Sequence, residues 1–194
     1  MEEILPGYTR VSEILSIFQA YAHVDRAKLK KAQDIGTLVH GAIEKYFQGH
    51  FVPLFGNLTP YFDSFLNWAE GKGKGLKPLF IEERLYDHEL MITGRIDLLC
   101  EWDGAIVLVD FKTGSWAHPE IWKLQATFYR ELLKKNNYKS LPDHYVYIQL
   151  KPDGSEPLFW FMPVDVEDLI MAQGALRAYR WFEKQKTPLD RRGN

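Results

Sequence analysis

Residues 92–114 read ITGRIDLLCEWDGAIVLVDFKTG. Two apolar runs flank Asp103-Gly104, a dipeptide that tolerates positive φ and so makes a tight hairpin turn. Strands are expected over 91–102 and 105–112. A hairpin folded at that turn pairs residues whose numbers sum to about 207. Asp97 then stands opposite Asp110. In the second strand Ile106, Leu108, Asp110 and Lys112 point one way, while Ala105, Val107, Val109 and Phe111 point the other. Both faces are apolar until the strand ends, which is the pattern of a central strand. Asp110 and Lys112 therefore emerge on one face at the rim of a sheet.

Two adjacent carboxylates repel, and burying either alone is costly. A divalent cation resolves the conflict. Mg²⁺ prefers oxygen ligands, usually one or two carboxylates completed by water and substrate phosphate oxygens. The Phe111 carbonyl offers a third oxygen between the two side chains. Lys112 adds a cation on the same face, where it can orient water or neutralise a phosphate. That outfit suits phosphodiester hydrolysis. Read alone, Asp-x-Lys is a common structural ion pair. The Gly-x-x-Asp segment thirteen residues before it, on a hairpin that pairs the two, turns the reading towards function.

The remaining sequence sets bounds. With 194 residues, the chain is expected to form one domain spanning 1–194. Its 46% hydrophobic and 26% charged content is that of a water-soluble protein. No apolar run approaches the roughly 20 residues of a membrane span, and no secretory signal is visible, so a cytoplasmic setting is expected. The single cysteine, Cys100, excludes an intrachain disulfide and a four-cysteine iron–sulfur site. A net charge of −2 gives no global pull towards nucleic acid, but basic residues cluster in RAKLKK (26–31) and GKGKGLK (71–77). Charge runs are usually solvated faces.

Helices are expected over 9–21, with Thr9 as N-cap and Val11, Ile14, Leu15, Phe18 and Tyr21 at helical spacing, and over 34–49, with Leu38, Ala42, Ile43, Tyr46 and Phe47 as an apolar stripe and Gly49 as the stop. Residues 59–71 carry Thr at the N-cap and Pro at N1. Further strands fall at 79–87, 144–150 and 156–162, and further helices at 118–136 and 165–185. In the last helix Leu169, Leu176, Tyr179 and Phe182 read as packing positions. Short antiparallel connections with one helical crossover predict an α/β fold: a mixed central sheet with helices on both faces.

Four pieces together resemble the PD-(D/E)XK nuclease superfamily, in the RecB-like branch: GTLVH (36–40), GRID (94–97), DFK (110–112) with Thr113-Gly114, and QATFY (125–129). Within it, the small phage exonucleases and the mitochondrial genome-maintenance exonuclease are most similar. The likeness spans roughly residues 8 to 150 and extends to the opening VSEIL. It implies a restriction-endonuclease-like core. It also implies metal ligation by His40, Asp97 and Asp110, with Phe111 adding its carbonyl, and a catalytic Lys112. Gln125 and Tyr129 match residues that position DNA. Glu44, one turn after His40, could support the site through water or orient the imidazole. Lys72 and Lys74 are candidate backbone contacts, on a loop whose glycines suggest mobility. Trp116 and Trp122 flank a helix start and could stack on bases, although tryptophan more often packs in a core. Many relatives in this branch carry four cysteines for an iron–sulfur cluster, which Cys100 alone cannot hold, so none is expected.

The combined expectation is a Mg²⁺- or Mn²⁺-dependent deoxyribonuclease, an exonuclease acting on single-stranded or end-bearing DNA. The implied setting is repair or recombination in a bacterial or phage-infected cell, with replication or recombination proteins as partners. A structure-selective endonuclease and a non-catalytic DNA-end-binding module are the alternatives.

Overall fold

A computed structural model describes residues 4–18, 25–52, 56–114 and 117–186. The elements run β1 (Thr9–Arg10), α1 (Val11–Leu15) with a 3-10 turn (Ser16–Phe18), α2 (Arg26–Phe47) and α3 (Thr59–Glu70). They continue with β2 (Lys77–Asp87), β3 (Ile92–Trp102), β4 (Ala105–Lys112), α4 (Pro119–Lys135), β5 (His144–Gln149), β6 (Leu158–Pro163) and α5 (Val166–Gln185). The six strands form one mixed sheet with helices on both faces. The order is β1-β3-β4-β5-β6, with β2 also on β3. Antiparallel hairpins join β2 to β3 and β3 to β4, and the α4 crossover makes β4 and β5 parallel.

The turn does what its residues predict. Asp103 and Gly104 both take positive φ, 50° and 82°, as a twist-matched two-residue hairpin requires. Pairs run from Trp102↔Ala105 to Leu98↔Val109, every one summing to the expected register.

Two apolar layers bury the sheet. Ile96, Leu99 and Leu108 pack on one side with Ile14 of α1, Leu132 of α4 and Leu176 of α5. Leu98, Val107, Val109 and Phe111 pack on the other with Val39 of α2 and with Phe65 and Trp68 of α3. Each such side chain contributes roughly 1.5–3 kcal/mol on leaving water. Among the described residues no helix is long and apolar enough to cross a membrane.

Several local expectations are corrected. Of the helix expected over 9–21, the described residues form five α-helical residues followed by a 3-10 turn, after an extended Thr9–Arg10. Thr9 is extended, not a cap: its N–H donates to the Met91 carbonyl at 2.9 Å, and Arg10 caps α1 while Glu13 accepts its N–H at 2.9 Å. Tyr21 lies outside the described residues. The helix over 34–49 starts eight residues earlier, at Arg26, where Asp25 Oδ1 accepts from Ala27 N and Lys28 N. That first stretch, RAKLKKAQD, has no apolar stripe to betray it. Thr59 lies inside α3, which Leu58 caps. Phe18, Leu38 and Phe182 are exposed at 44%, 56% and 52%, so none belongs to the core; Val39 takes the buried position beside Leu38.

Candidate active site

The sheet is open at one place. β2 lines one edge of β3 along its length. The other edge is shared. β4 pairs with residues 98–102, and β1 with only Ile92 and Thr93. Residues 94–97, the GRID segment, face no strand on that edge. β3 and β4 fork there. Asp97 Oδ2 accepts the Phe111 N–H at 2.8 Å where the ladder would otherwise continue.

The fork coincides with a break in alternation. Ile96 and Leu98 are two residues apart, which in a regular strand puts them on one face. Yet they lie in opposite cores. β2 breaks at the same level: Leu85 faces the first core and Ile81 the second. The residue between them, Glu82, has φ of 52°, a left-handed value unusual for a non-glycine residue in a strand. Both strands thus slip phase together, and at the slip Glu82 and Asp97 turn to one point. His40 Nδ1 lies 3.2 Å from Glu82 Oε1 and 3.3 Å from Asp97 Oδ2. Arg95 holds the kink. Its Nε is 2.8 Å from Glu82 Oε2 and donates to the Glu82 carbonyl at 3.0 Å.

The second half of the site hangs from β4 and α4. Lys112 Nζ lies 2.5 Å from Asp110 Oδ2 and donates to Gln125 Oε1 at 2.9 Å. Gln125 Nε2 donates to Asp110 Oδ1 at 3.2 Å and to the Tyr129 hydroxyl at 2.8 Å. One amide therefore ties three site groups. β5 braces the strand end through Asp110↔Tyr147 and Lys112↔Gln149. His40 comes from a helix on one face of the sheet and Gln125 from a helix on the other. The fork is what lets them converge.

The electrostatics follow from crowding. Burial pushes Asp110 up and the Asp97 charge pushes it further, to about 6, although Lys112 opposes both. Burial also acts on Asp97, but His40, Lys112 and the Phe111 N–H outweigh it and hold the carboxyl below its usual range. Burial raises Glu82, and Asp97 adds to that despite His40 and Arg95. For His40 burial favours the neutral ring; Asp97 and Glu82 overrule it and raise the pKa well above the usual imidazole value. Each cation stands in for positive charge that three carboxylates need.

A divalent cation fits this donor set. His40, Glu82 and Asp97 can each offer a ligand atom with all three within 4.8 Å of one another. Asp110 Oδ2 is buried and, despite the nearby ammonium, lacks a well-aligned hydrogen bond. Three carboxylates and an imidazole are the hard oxygen and borderline nitrogen donors that Mg²⁺ and Mn²⁺ accept.

The structure brings together His40, Asp97, Asp110, Phe111, Lys112, Gln125 and Tyr129. Glu44 stands further out, 3.8 Å from Arg95 Nη2 and bonded by Gln48; among the described residues it touches the site through Arg95. Lys72 and Lys74 are not brought in. Their loop precedes β2, whose first residue is about 16 Å along a strand from Glu82, and Lys72 pairs with Glu156 at 2.8 Å. Nor is that loop loosely built. Gly73 is buried against the Trp68 indole, donates to the Trp68 carbonyl at 2.8 Å, and a Cβ there would meet the ring at 3.0 Å. Its glycine allows close approach rather than motion. Trp122 is buried and stacked on Tyr147 at 5.2 Å, a core role; Trp116 lies outside the described residues. Burial pushes the Cys100 thiol up to about 12, so it is no nucleophile.

Glu82 is the site residue that the sequence reading missed. Its one signal is a phase conflict in FIEERL (80–85): Phe80 and Ile81 are adjacent and apolar, so no single alternation accommodates both with Leu85.

Comparison with known proteins agrees with this architecture. A family model described as the PD-(D/E)XK nuclease superfamily matches residues 56–184, about two thirds of the chain. That span contains every site residue except His40 and Glu44. A candidate exonuclease from Eubacterium rectale superposes with a TM-score of 0.56 at 13% identity, covering 100% of this chain and 94% of that one. SSO0001 gives 0.49 at 8%, covering 95% and 80%. LHK-Exo in complex with dAMP gives 0.41 at 10%, covering 89% and 86%. At 13% identity the likeness to the first of these is one of fold. No curated protein matches in sequence. Matched over most of its length by the family model and built around the four segments read from its sequence, the chain belongs to the PD-(D/E)XK nuclease superfamily.

Proposed function

We propose that the protein is a metal-dependent deoxyribonuclease that degrades DNA from ends. The observation that carries this reading is the fork: three carboxylates, an imidazole and an ammonium, drawn from both faces of the sheet, meet where β3 and β4 part. His40, Glu82, Asp97 and Asp110 would hold the cation, Mg²⁺ or Mn²⁺, with the Phe111 carbonyl as a further oxygen. Bound there, it supplies Lewis acidity at the scissile phosphate and acidifies an attacking water.

The chain's own residues set that chemistry up. The Phe111 N–H fixes Asp97 by one oxygen. Arg95 fixes Glu82 by Oε2 and leaves Oε1 facing His40. Lys112 offers N–H groups to a phosphate oxygen whose charge grows during attack. Gln125 holds Lys112 and Asp110 in one geometry, so its role is positioning the catalytic pair as well as any DNA beside it. Tyr129→Phe removes one acceptor from Gln125 but leaves its bond to Asp110. Activity should fall about three- to tenfold with an unchanged melting curve, the usual worth of one hydrogen bond. Unchanged cleavage in that variant would make the hydroxyl a bystander.

The exonuclease part rests on economy. The described residues are taken up by the sheet, its helices and their short connections, and among them nothing resembles a base-reading module. The test compares closed circular single-stranded DNA with the same circle cut once, in Mg²⁺, Mn²⁺ or EDTA. The cut circle should be degraded, the closed one spared, and EDTA should stop the degradation. Rapid loss of the closed circle would promote the endonuclease reading. Cleavage in EDTA would remove the metal. A protein that binds ends without cutting them would be the non-catalytic module. The single-domain boundary of 1–194 and a cytoplasmic setting complete the proposal.

A further inference from the structure

Beside the fork lies a cavity of about 200 Å³ lined by Lys28, Lys31, Ala32, Ile35, Tyr61 and Thr113. Its position is fixed from two sides. Thr113 directly follows Lys112. Across from it Gly36 of α2 packs so close that a Cβ would come within 3.3 Å of Thr113 Oγ1. Ile35 precedes His40 by five residues of the same helix, about 7.5 Å of rise. Along a stacked strand, at about 3.4 Å per nucleotide, that is a separation of roughly two nucleotides, and about one where the strand is unstacked.

The walls are of two kinds. Ala32, Ile35 and the Tyr61 ring make an apolar interior. Lys28 and Lys31 stand at exposed positions on the early turns of α2, three residues apart and so on one side of the helix. Among the described residues neither lysine has an ion-pair partner, while their neighbour Lys30 is paired with Asp34 at 3.0 Å. An apolar slot edged by ammonium groups suits a ligand with a flat apolar body and anionic flanks. The volume is roughly that of seven waters, a fit for one base and too small for a base pair.

Resting on the nuclease reading above, we propose that this cavity receives one unstacked base of the DNA strand, next to the nucleotide being cut. Tyr61 stacks on the base, and Lys28 and Lys31 contact the phosphates on either side. A paired base cannot enter without being pulled from its duplex, so the pocket selects single strands near the site.

The experiment uses single-stranded oligonucleotides, end-labelled at either end, each with one abasic position. An enzyme that seats a base should pause at one fixed distance from that position, roughly tenfold slower at that step, as expected for one lost stack. In Tyr61→Leu the pause should shrink, because the stacking partner is already gone; a merely structural tyrosine would slow every step alike. Lys28→Ala with Lys31→Ala should lower the salt slope of binding by about 1.4, two single-strand phosphates. Should Tyr61→Leu fail to fold, the wild-type ladder and the lysine pair still decide. An even ladder in the wild-type enzyme overturns the pocket alone. Failure to cut the unmodified oligonucleotide overturns the nuclease reading, and the pocket with it.

Discussion

Asp110→Asn is expected to lower DNA cleavage by about 10³-fold while the protein stays folded. The size follows from what the charge does: cation-assisted charge stabilisation is worth several kcal/mol, and each 1.36 kcal/mol is about a tenfold change in rate. Asparagine keeps the shape but removes the negative charge that holds a cation. Stability responds less. The change relieves repulsion with Asp97, which together with burial raises the Asp110 pKa. Against that, both Asp110 oxygens face donors, Gln125 Nε2 and Lys112 Nζ, so the new amide N–H must oppose one of them. The two effects partly cancel, and the net shift should stay within about 2 kcal/mol. Cleavage rates, Mn²⁺ titration by calorimetry and a melting curve check the three parts separately. A variant that cuts as fast as wild type would strip Asp110 of its role.

Gly94→Ala should be strongly destabilising. A Cβ at that position would lie 2.6 Å from Tyr129 Cε1 and 2.9 Å from Leu132 Cδ1. Tyr129 and Leu132 are both buried, so neither ring nor methyl has anywhere to go. Overpacking on this scale costs about 3 kcal/mol, or a fall of about 6–12 °C in melting temperature for a chain of this length. Activity should fall too, because any retreat of Tyr129 drags Gln125 and hence Lys112. Trimming the ring tests the cause. Gly94→Ala combined with Tyr129→Ala should be less destabilised than the sum of the singles by more than about 1 kcal/mol. A single variant melting within about 2 °C of wild type would refute the clash. The glycine of the Gly-x-x-Asp segment and the tyrosine of the Gln-x-x-x-Tyr segment are therefore one feature: the first is small so that the second can reach the site.

That coupling was not legible in the sequence, although both segments were. Short-range chemistry was legible. Asp103-Gly104 fixed the hairpin, the hairpin fixed the level of Asp97 and Asp110, and alternation fixed which face Asp110 and Lys112 share. Helix α4 was legible from its stripe and its leading proline. The rest depends on relations between distant segments. β1 is two residues long and exists only because β4 leaves the edge of β3 vacant near Ile92. The start of α2 has no continuous apolar stripe and is held by its Asp25 cap. Glu82 joins the site through a backbone conformation that a glutamate rarely adopts, so propensity does not point to it and the broken alternation around it is its one trace.

The phase slip at Glu82 and Asp97 bears on how this sheet could be altered. A left-handed glutamate and a run of a central strand left unpaired on one edge are the faults that idealised sheets are built without. Regularising them would place Leu98 beside Ile96, let β4 pair on past Asp97, and scatter the carboxylates over two faces. The most orderly version of this sheet has no place to gather charge. Thermal robustness and chemistry therefore pull this short ribbon in opposite directions, and improving it by local rules alone would straighten away the feature that makes it more than a scaffold.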